Sequence, residues 1–344
     1  MKKLFLIPVA AALFAACSNE TENTDNDGPV PLQISVGNLE VSTEVATRAA
    51  NSAWEASDQI GVYALPTGTT TTPIAYGSNK YYTLTDETGS TDATGGTVYK
   101  NFTGTDPVYL PANGSAIDVY GYYPYSESAT DPTAVGINVS TQTDATAIAA
   151  IDFMTTGKED HTTHGGSETI KKNTPSCQLL FAHRLVKLVF NLKAGTGMSS
   201  SDITSASPCS VSITGQKTEG TYNIYTDALT YTGSQTTIVS TATQEAKGGF
   251  DKAIQLIVLP THDTNNPKSD RTVTITLGTA TYQFTIFDGV NAAAPADPDG
   301  TLQVAAFEAG KEYTFDVTVN AARLSVTAAI TNWVSVAAQN ATAK

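Results

Sequence analysis

Positive charge is scarce in this 344-residue chain: 19 Lys and Arg face 33 Asp and Glu, for a net charge of −14. No basic stripe or cluster exists to neutralise phosphates, so nucleic acid and anionic lipid are excluded as partners. Helical periodicity is almost missing in either half, which argues against a helix-rich cytosolic enzyme. The motifs that mark catalysis are missing too. There is no Gly-x-Ser-x-Gly elbow, no phosphate-cradling Gly-rich loop, no His-Glu-x-x-His and no Cys-x-x-Cys. No carboxylate pair is set among apolar residues that would raise one pKa for glycosidase work. The expectation is a non-enzyme with no catalytic residue, no metal ligand and no cofactor. What is abundant instead is Thr, Ser, Gly, Ala and Tyr, the make-up of an extracellular β-protein.

The one sustained apolar run is Leu4–Ala16, too short for the ~20 residues that span a bilayer as a helix. Lys2 and Lys3 precede it and Ala15-Ala16-Cys17 closes it, the order of an export signal. The closing tripeptide resembles a bacterial lipobox, with Phe14 where Leu is commoner. Residues 1–17 are therefore read as a lipoprotein signal and Cys17 as the lipidated residue; an ordinary signal with an incidental cysteine is the plainer alternative. Residues 18–31 carry almost nothing that can be buried and are read as a disordered tether. Within them Asp25-Asn26-Asp27-Gly28 has a calcium-loop look but lacks the later acidic ligand.

Period-2 alternation starts at Leu32, Ile34 and Val36 and resumes at Leu39 and Val41. Further strands are expected at 59–65, 80–84, 107–110 and 117–123, separated by turn-rich spacers. The polar stretch 155–175 holds His161 and His164 beside Glu159 and Asp160. Thr162, Thr163, Gly165 and Gly166 oppose the helix that would align both imidazoles, so a solvated loop is favoured over a metal site. Beyond it, 179–192 should form a central strand or pair, followed by strands near 210–213, 254–259, 272–277, 281–287, 313–319 and 324–330. Two β-sandwich domains follow, 49–175 and 176–344.

With Cys17 taken by lipid, Cys177 and Cys209 remain as an even pair in a disulfide-permissive compartment. A bridge between them would contribute roughly 3–4 kcal/mol on the chain-entropy model; two buried thiols are the alternative. His183, inside an apolar run, reads as a satisfied core or edge histidine.

Five segments together resemble the fimbrillin family of Bacteroidetes, the subunits of protease-assembled surface pili. They are Trp54-Glu55-Ala56-Ser57-Asp58-Gln59-Ile60-Gly61-Val62-Tyr63, shortly after Thr47-Arg48-Ala49; Val119-Tyr120-Gly121-Tyr122-Tyr123-Pro124-Tyr125; Asp152-Phe153-Met154; 179–188; and Phe307-Glu308-Ala309-Gly310-Lys311-Glu312-Tyr313-Thr314-Phe315, with Ile330-Thr331-Asn332-Trp333 near the end. The resemblance implies an all-β fold of two transthyretin-like β-sandwich domains in tandem, Greek-key type. It also implies a route: an outer-membrane lipoprotein precursor, held to the membrane only by its lipid, is cut after an arginine by an Arg-specific protease. Arg48, with Ala49 behind it, is the arginine this sequence offers, and 32–48 would be the pro-strand removed. A neighbouring pilin subunit would then insert its C-terminal strand. The candidate donor residues here are Leu324, Val326, Ala328, Ile330, Trp333, Val334 and Val336.

The implied product is a structural pilin of a cell-surface fimbrium that supports adhesion. Two other readings stay open. One is a tip adhesin, binding a host or bacterial surface ligand, or an anchor subunit of the same pilus. The other is a monomeric surface lipoprotein that binds glycan through exposed aromatics such as Tyr122 or Tyr125.

Overall fold

The structure, a computed structural model, describes residues 28–38, 54, 58–91, 98–156, 170–261, 271–288, 302–304, 306–321 and 324–333. It is nearly all β. The first half contains β1 (Gln33–Asn38), β2 (Gln59–Pro66), β3 (Lys80–Thr91), β4 (Val98–Thr103), β5 (Ile117–Tyr123), β6 (Val135–Asn138), α1 (Ala145–Ile151), β7 (Met154–Thr155) and β8 (Ser176–His183). The second contains β9 (Val186–Ala194), α2 (Ser200–Thr204), β10 (Cys209–Gln216), β11 (Glu219–Asn223), β12 (Ala228–Thr232), β13 (Thr236–Ser240), β14 (Thr243–Gln244), β15 (Lys252–Val258), β16 (Arg271–Leu277), β17 (Ala280–Asp288), β18 (Leu302–Val304), β19 (Lys311–Val319) and β20 (Leu324–Asn332).

Alternation explains many of these strands. In β16, Arg-Thr-Val-Thr-Ile-Thr-Leu buries every second residue, and β8 and β19 do the same along most of their length. The expected strand at 107–110 is instead an extended stretch that makes a single bridge, Pro31 to Tyr109.

Seven strands close a barrel in the order β1-β4-β3-β2-β5-β7-β8. Its core holds Leu32, Ile34, Val36, Trp54, Ile60, Val62, Phe102, Val119, Leu179 and Phe181. Trp54 lies at its centre, edge-on to Phe102, Tyr123 and Phe181 at centroid distances of 5.2–5.4 Å. The carbonyl of Trp54 accepts from Lys100 Nζ at 2.7 Å.

In the second half two five-stranded sheets, β13-β10-β16-β17-β18 and β14-β15-β9-β19-β20, share one larger core. Phe284 of one sheet meets Phe190 and Phe315 of the other. A third sheet, β12-β11-β6, joins β6 from the first half to a hairpin of the second.

Barrel and sandwich are welded through β2 and β5. Ile60, Val62, Ala64, Ile117 and Val119 point into the barrel, while Tyr63, Leu65, Tyr120 and Tyr122 join the second core. This is why β5 is buried at every position. Two glycines make the double-sided packing possible: a Cβ on Gly61 would fall inside the Tyr122 ring, and one on Gly121 would meet Phe181 at 2.6 Å. Tyr122 is thus fully buried, with its hydroxyl donating to Asn79 Oδ1 at 2.7 Å, and Tyr125 packs half-buried against the same core. The expectation that Tyr122 stands exposed as a glycan platform is corrected by this: a tyrosine opposite a glycine covers it instead of facing solvent.

Candidate functional site

The barrel is closed by its most N-terminal strand. β1 lies antiparallel to β4, with Ile34 opposite Phe102, and parallel to β8, with Ile34 opposite Cys177 and Asn38 opposite Phe181. The engagement starts before β1 itself. Leu32 donates its N–H to the carbonyl of Val108 at 2.8 Å, and Leu110 donates to that of Val30 at 2.9 Å. The docked segment therefore begins inside the stretch read as tether, with Val30 packing on the barrel core.

Leu32, Ile34 and Val36 are buried while Gln33 points out. Burying each such side chain is worth ~1.5–3 kcal/mol, so the three hold β1 with on the order of 5–8 kcal/mol of apolar contact. Fit is uneven along the strand. β4 turns away at Gly104, and the segment 108–110 takes over the pairing. The divergence leaves an open groove of about 550 Å³ lined by Leu32, Ile34, Tyr82, Phe102 and Pro107. Removing β1 would leave two strand edges, β4 and β8, and an apolar trough between them.

The C-terminal candidates lie elsewhere. β20 forms the edge of its sheet and pairs antiparallel with β19 along its whole length, from Leu324–Val319 to Asn332–Lys311. Leu324 and Val326 pack half-buried on their own core, Ala328 pairs with Phe315, and Ile330 is 56% exposed. Trp333 is buried and stacks on His183, ring centroids 3.9 Å apart and planes within 8°. His183 is itself buried, with Nδ1 2.7 Å from the buried carboxylate of Asp152. The satisfied-histidine reading holds, and its aromatic partner, 150 positions away, had no signal in the local pattern.

Cys177 and Cys209 are free, buried thiols, the second of the two readings the sequence left open. Cys177 lies in the barrel core under β1, whereas Cys209 begins β10 in the sandwich core. Burial pushes both thiols up, and Lys252 opposes that push at Cys209. Cys17, Leu39, Val41, Arg48, Ala49, His161, His164, Val334 and Val336 lie outside the described residues. Among the described residues no His, Cys, Asp and Glu cluster is placed to hold a metal, and no helix is long and apolar enough to cross a membrane.

These features define a class: a β-protein whose N-terminal barrel is sealed by one strand at a parallel seam, carrying a docked C-terminal edge strand. The sequence matches the fimbrillin-like family over residues 47–333, and the chain belongs to that family. It is 33% identical over 342 residues to a Bacteroides uniformis protein provisionally named fimbrium subunit Fim1C, covering 97% of this chain and 96% of that one. A crystal structure of a B. uniformis protein provisionally described as a cell adhesion protein superposes with a TM-score of 0.60 at 27% identity, covering 90% of this chain and 99% of that one. A similarly described Bacteroides ovatus protein gives 0.58 at 18% identity over 89% and 98%, a likeness of fold alone.

Proposed function

We propose that the chain is a structural subunit of a cell-surface fimbrium, assembled by exchange of β1 for a strand of a neighbouring subunit. The observation that carries this reading is the seam itself: β1 has both edges paired and three side chains buried, yet belongs to a segment that precedes Arg48. In this reading the barrel and the sandwich are the two transthyretin-like domains; because β8 (Ser176–His183) closes the barrel, their division falls after His183 and not at the expected residue 175. Cys17 carries lipid and delivers the precursor to the outer membrane. An Arg-specific protease then cuts between Arg48 and Ala49. The family match, which starts at residue 47 and leaves β1 outside it, supports that division.

Before the cut, β1 is covalently held at high effective concentration and outcompetes any incoming strand. After it, the open edges of β4 and β8 are a template for another chain. Ladder hydrogen bonds supply affinity, and alternate side chains entering the trough supply register. Replacing Arg48 with Ala is expected to leave a full-length lipoprotein on the surface and no polymer; polymers of normal length from that variant would overturn the reading.

A second reading has one observation in its favour. Because β20 is fully paired to β19, the described residues include an acceptor seam but no strand standing free to donate. A tip subunit, accepting a strand and giving none, would look like this. Deleting Val334–Lys344 separates the two: loss of growth beyond this subunit favours the stalk, no effect favours the tip.

A further inference from the structure

The strand β8 serves two partners from one row of side chains. Cys177, Leu179 and Phe181 line its inward face alongside β1, and His183, next in that row, stacks on Trp333. Trp333 is fixed from three directions. His183 is held by Asp152, the Trp333 N–H donates to the Gly310 carbonyl at 2.8 Å, and the Gly310 N–H donates to the Leu185 carbonyl at 2.8 Å. Trp333 is therefore the fixed root of the eleven residues Val334–Lys344.

That root stands beside the slot. β1 runs parallel to β8 and its Asn38 pairs with Phe181, so the end of the slot lies two residues from His183, about 7 Å along a strand. Nine residues, Val30 to Asn38, fill the slot, a length of ~30 Å, and eleven extended residues reach ~36 Å. Val334, Val336 and Ala338 alternate with Ser335, Ala337 and Gln339, the pattern of Leu32, Ile34 and Val36 in smaller side chains.

We propose that, once β1 leaves, the chain's own segment Val334–Lys344 folds back into the vacated slot between β4 and β8 and caps it until a neighbour's strand displaces it. The proposal rests on the reading of β1 as a released strand. A tethered segment this close acts at roughly millimolar effective concentration, far above any free subunit. Rooted at the Asn38 end, it must run opposite to β1, antiparallel to β8 and parallel to β4. Reversed direction and smaller side chains make it a weaker filler than the strand it replaces. A neighbour's strand entering in β1's own direction regains the better fit, so the cap delays assembly and shields the trough without preventing growth.

Cys177 lies directly under the slot and reports its occupancy, while Cys209, in the other core, is an internal reference. The full chain is folded and cut after Arg48, loss of the N-terminal fragment is followed by mass, and maleimide labelling is timed at a dilution where the subunit is monomeric. Three chains are compared: the unaltered tail, a deletion of Val334–Lys344, and Val336→Asp, which keeps the tail's length. With the fragment gone, the unaltered chain should label Cys177 at least ~10-fold more slowly than either variant, independently of concentration, with Cys209 labelling alike in all three. Equal Cys177 rates in the three chains overturn the cap and leave strand release standing. A fragment that stays bound to the cut chain overturns strand release, and the cap with it.

Discussion

Ile34 lies directly opposite Cys177 across the parallel seam between β1 and β8, and the thiol beneath that seam is 1% exposed. Desolvation holds Cys177 far above the ordinary thiol range, so it stays protonated and unreactive at neutral and mildly alkaline pH. Cys209 is also raised, but Lys252 works against the rise. In the uncut native chain Cys209 is expected to alkylate first and Cys177 only with unfolding. Mass spectrometry without reductant should find both as free thiols; a disulfide between them would contradict the separate cores.

Shortening the side chains of β1 should weaken the precursor and nothing else. Ile34→Ala removes a buried side chain from the barrel core and is expected to cost ~2–5 kcal/mol in the uncut chain, measured by denaturant unfolding. If β1 is discarded on maturation, polymers made from that variant will resist denaturant as well as the unaltered ones. A matching loss in the polymer would mean that β1 stays.

The clasp around His183 should behave as a unit. Asp152→Ala leaves a buried imidazole without its carboxylate and is expected to destabilise by ~3 kcal/mol or more. Trp333→Ala should cost a similar ~3–5 kcal/mol. His183→Ala and Trp333→Ala combined should cost less than their separate effects by roughly 0.5–1.5 kcal/mol, the coupling of a stacked pair in a double-mutant cycle. Full additivity would mean that the stacking carries no energy.

Stability should have an alkaline limit set by buried phenols. Burial pushes Tyr120 and Tyr122 up to about 12, and Tyr63, Tyr82, Tyr222 and Tyr225 further, from an ordinary value of 10.0. A raised folded pKa means that the fold favours the neutral phenol. The stability this contributes is complete below pH 10 and lost as pH climbs through the folded values. Tyrosinate absorbance should therefore rise in two stages, the later one together with loss of near-ultraviolet circular dichroism. A single stage near pH 10 without unfolding would contradict the buried aromatic weld between barrel and sandwich.

Much of the architecture was legible because one face of a strand was wet. Thr272, Thr274 and Thr276 alternate with Val273, Ile275 and Leu277, and β16 could be read from that alone. The alternation of Leu32, Ile34 and Val36 likewise marked β1. Pattern was weaker where both faces are dry or both polar. β5 shows no alternation because two cores bury its opposite sides, and that burial removes Tyr122 as an exposed glycan platform. β12, Ala-Leu-Thr-Tyr-Thr, shows the opposite weakness: all its side chains remain exposed or half-exposed, and it owes its strand to pairing with β11. α1 is short, its Asp144 cap accepts from the Ala147 N–H at 2.9 Å, and the sequence reading placed no element there. Long-range relations such as the two separate thiols, the His183–Trp333 stack and the parallel β1–β8 seam depend on how distant strands meet, and no local period encodes that. The five motif segments around Trp54, Tyr120, Asp152, Leu179 and Phe307 carried the family, since several of their residues form the aromatic and apolar contacts of the two cores.

The most direct test of the account is the N-terminal residue of the subunit taken from assembled surface fibres. Edman sequencing or intact mass should show a chain that begins at Ala49, with Cys17, its lipid and β1 absent. A subunit that enters the fibre still beginning with an acylated Cys17 would contradict the account.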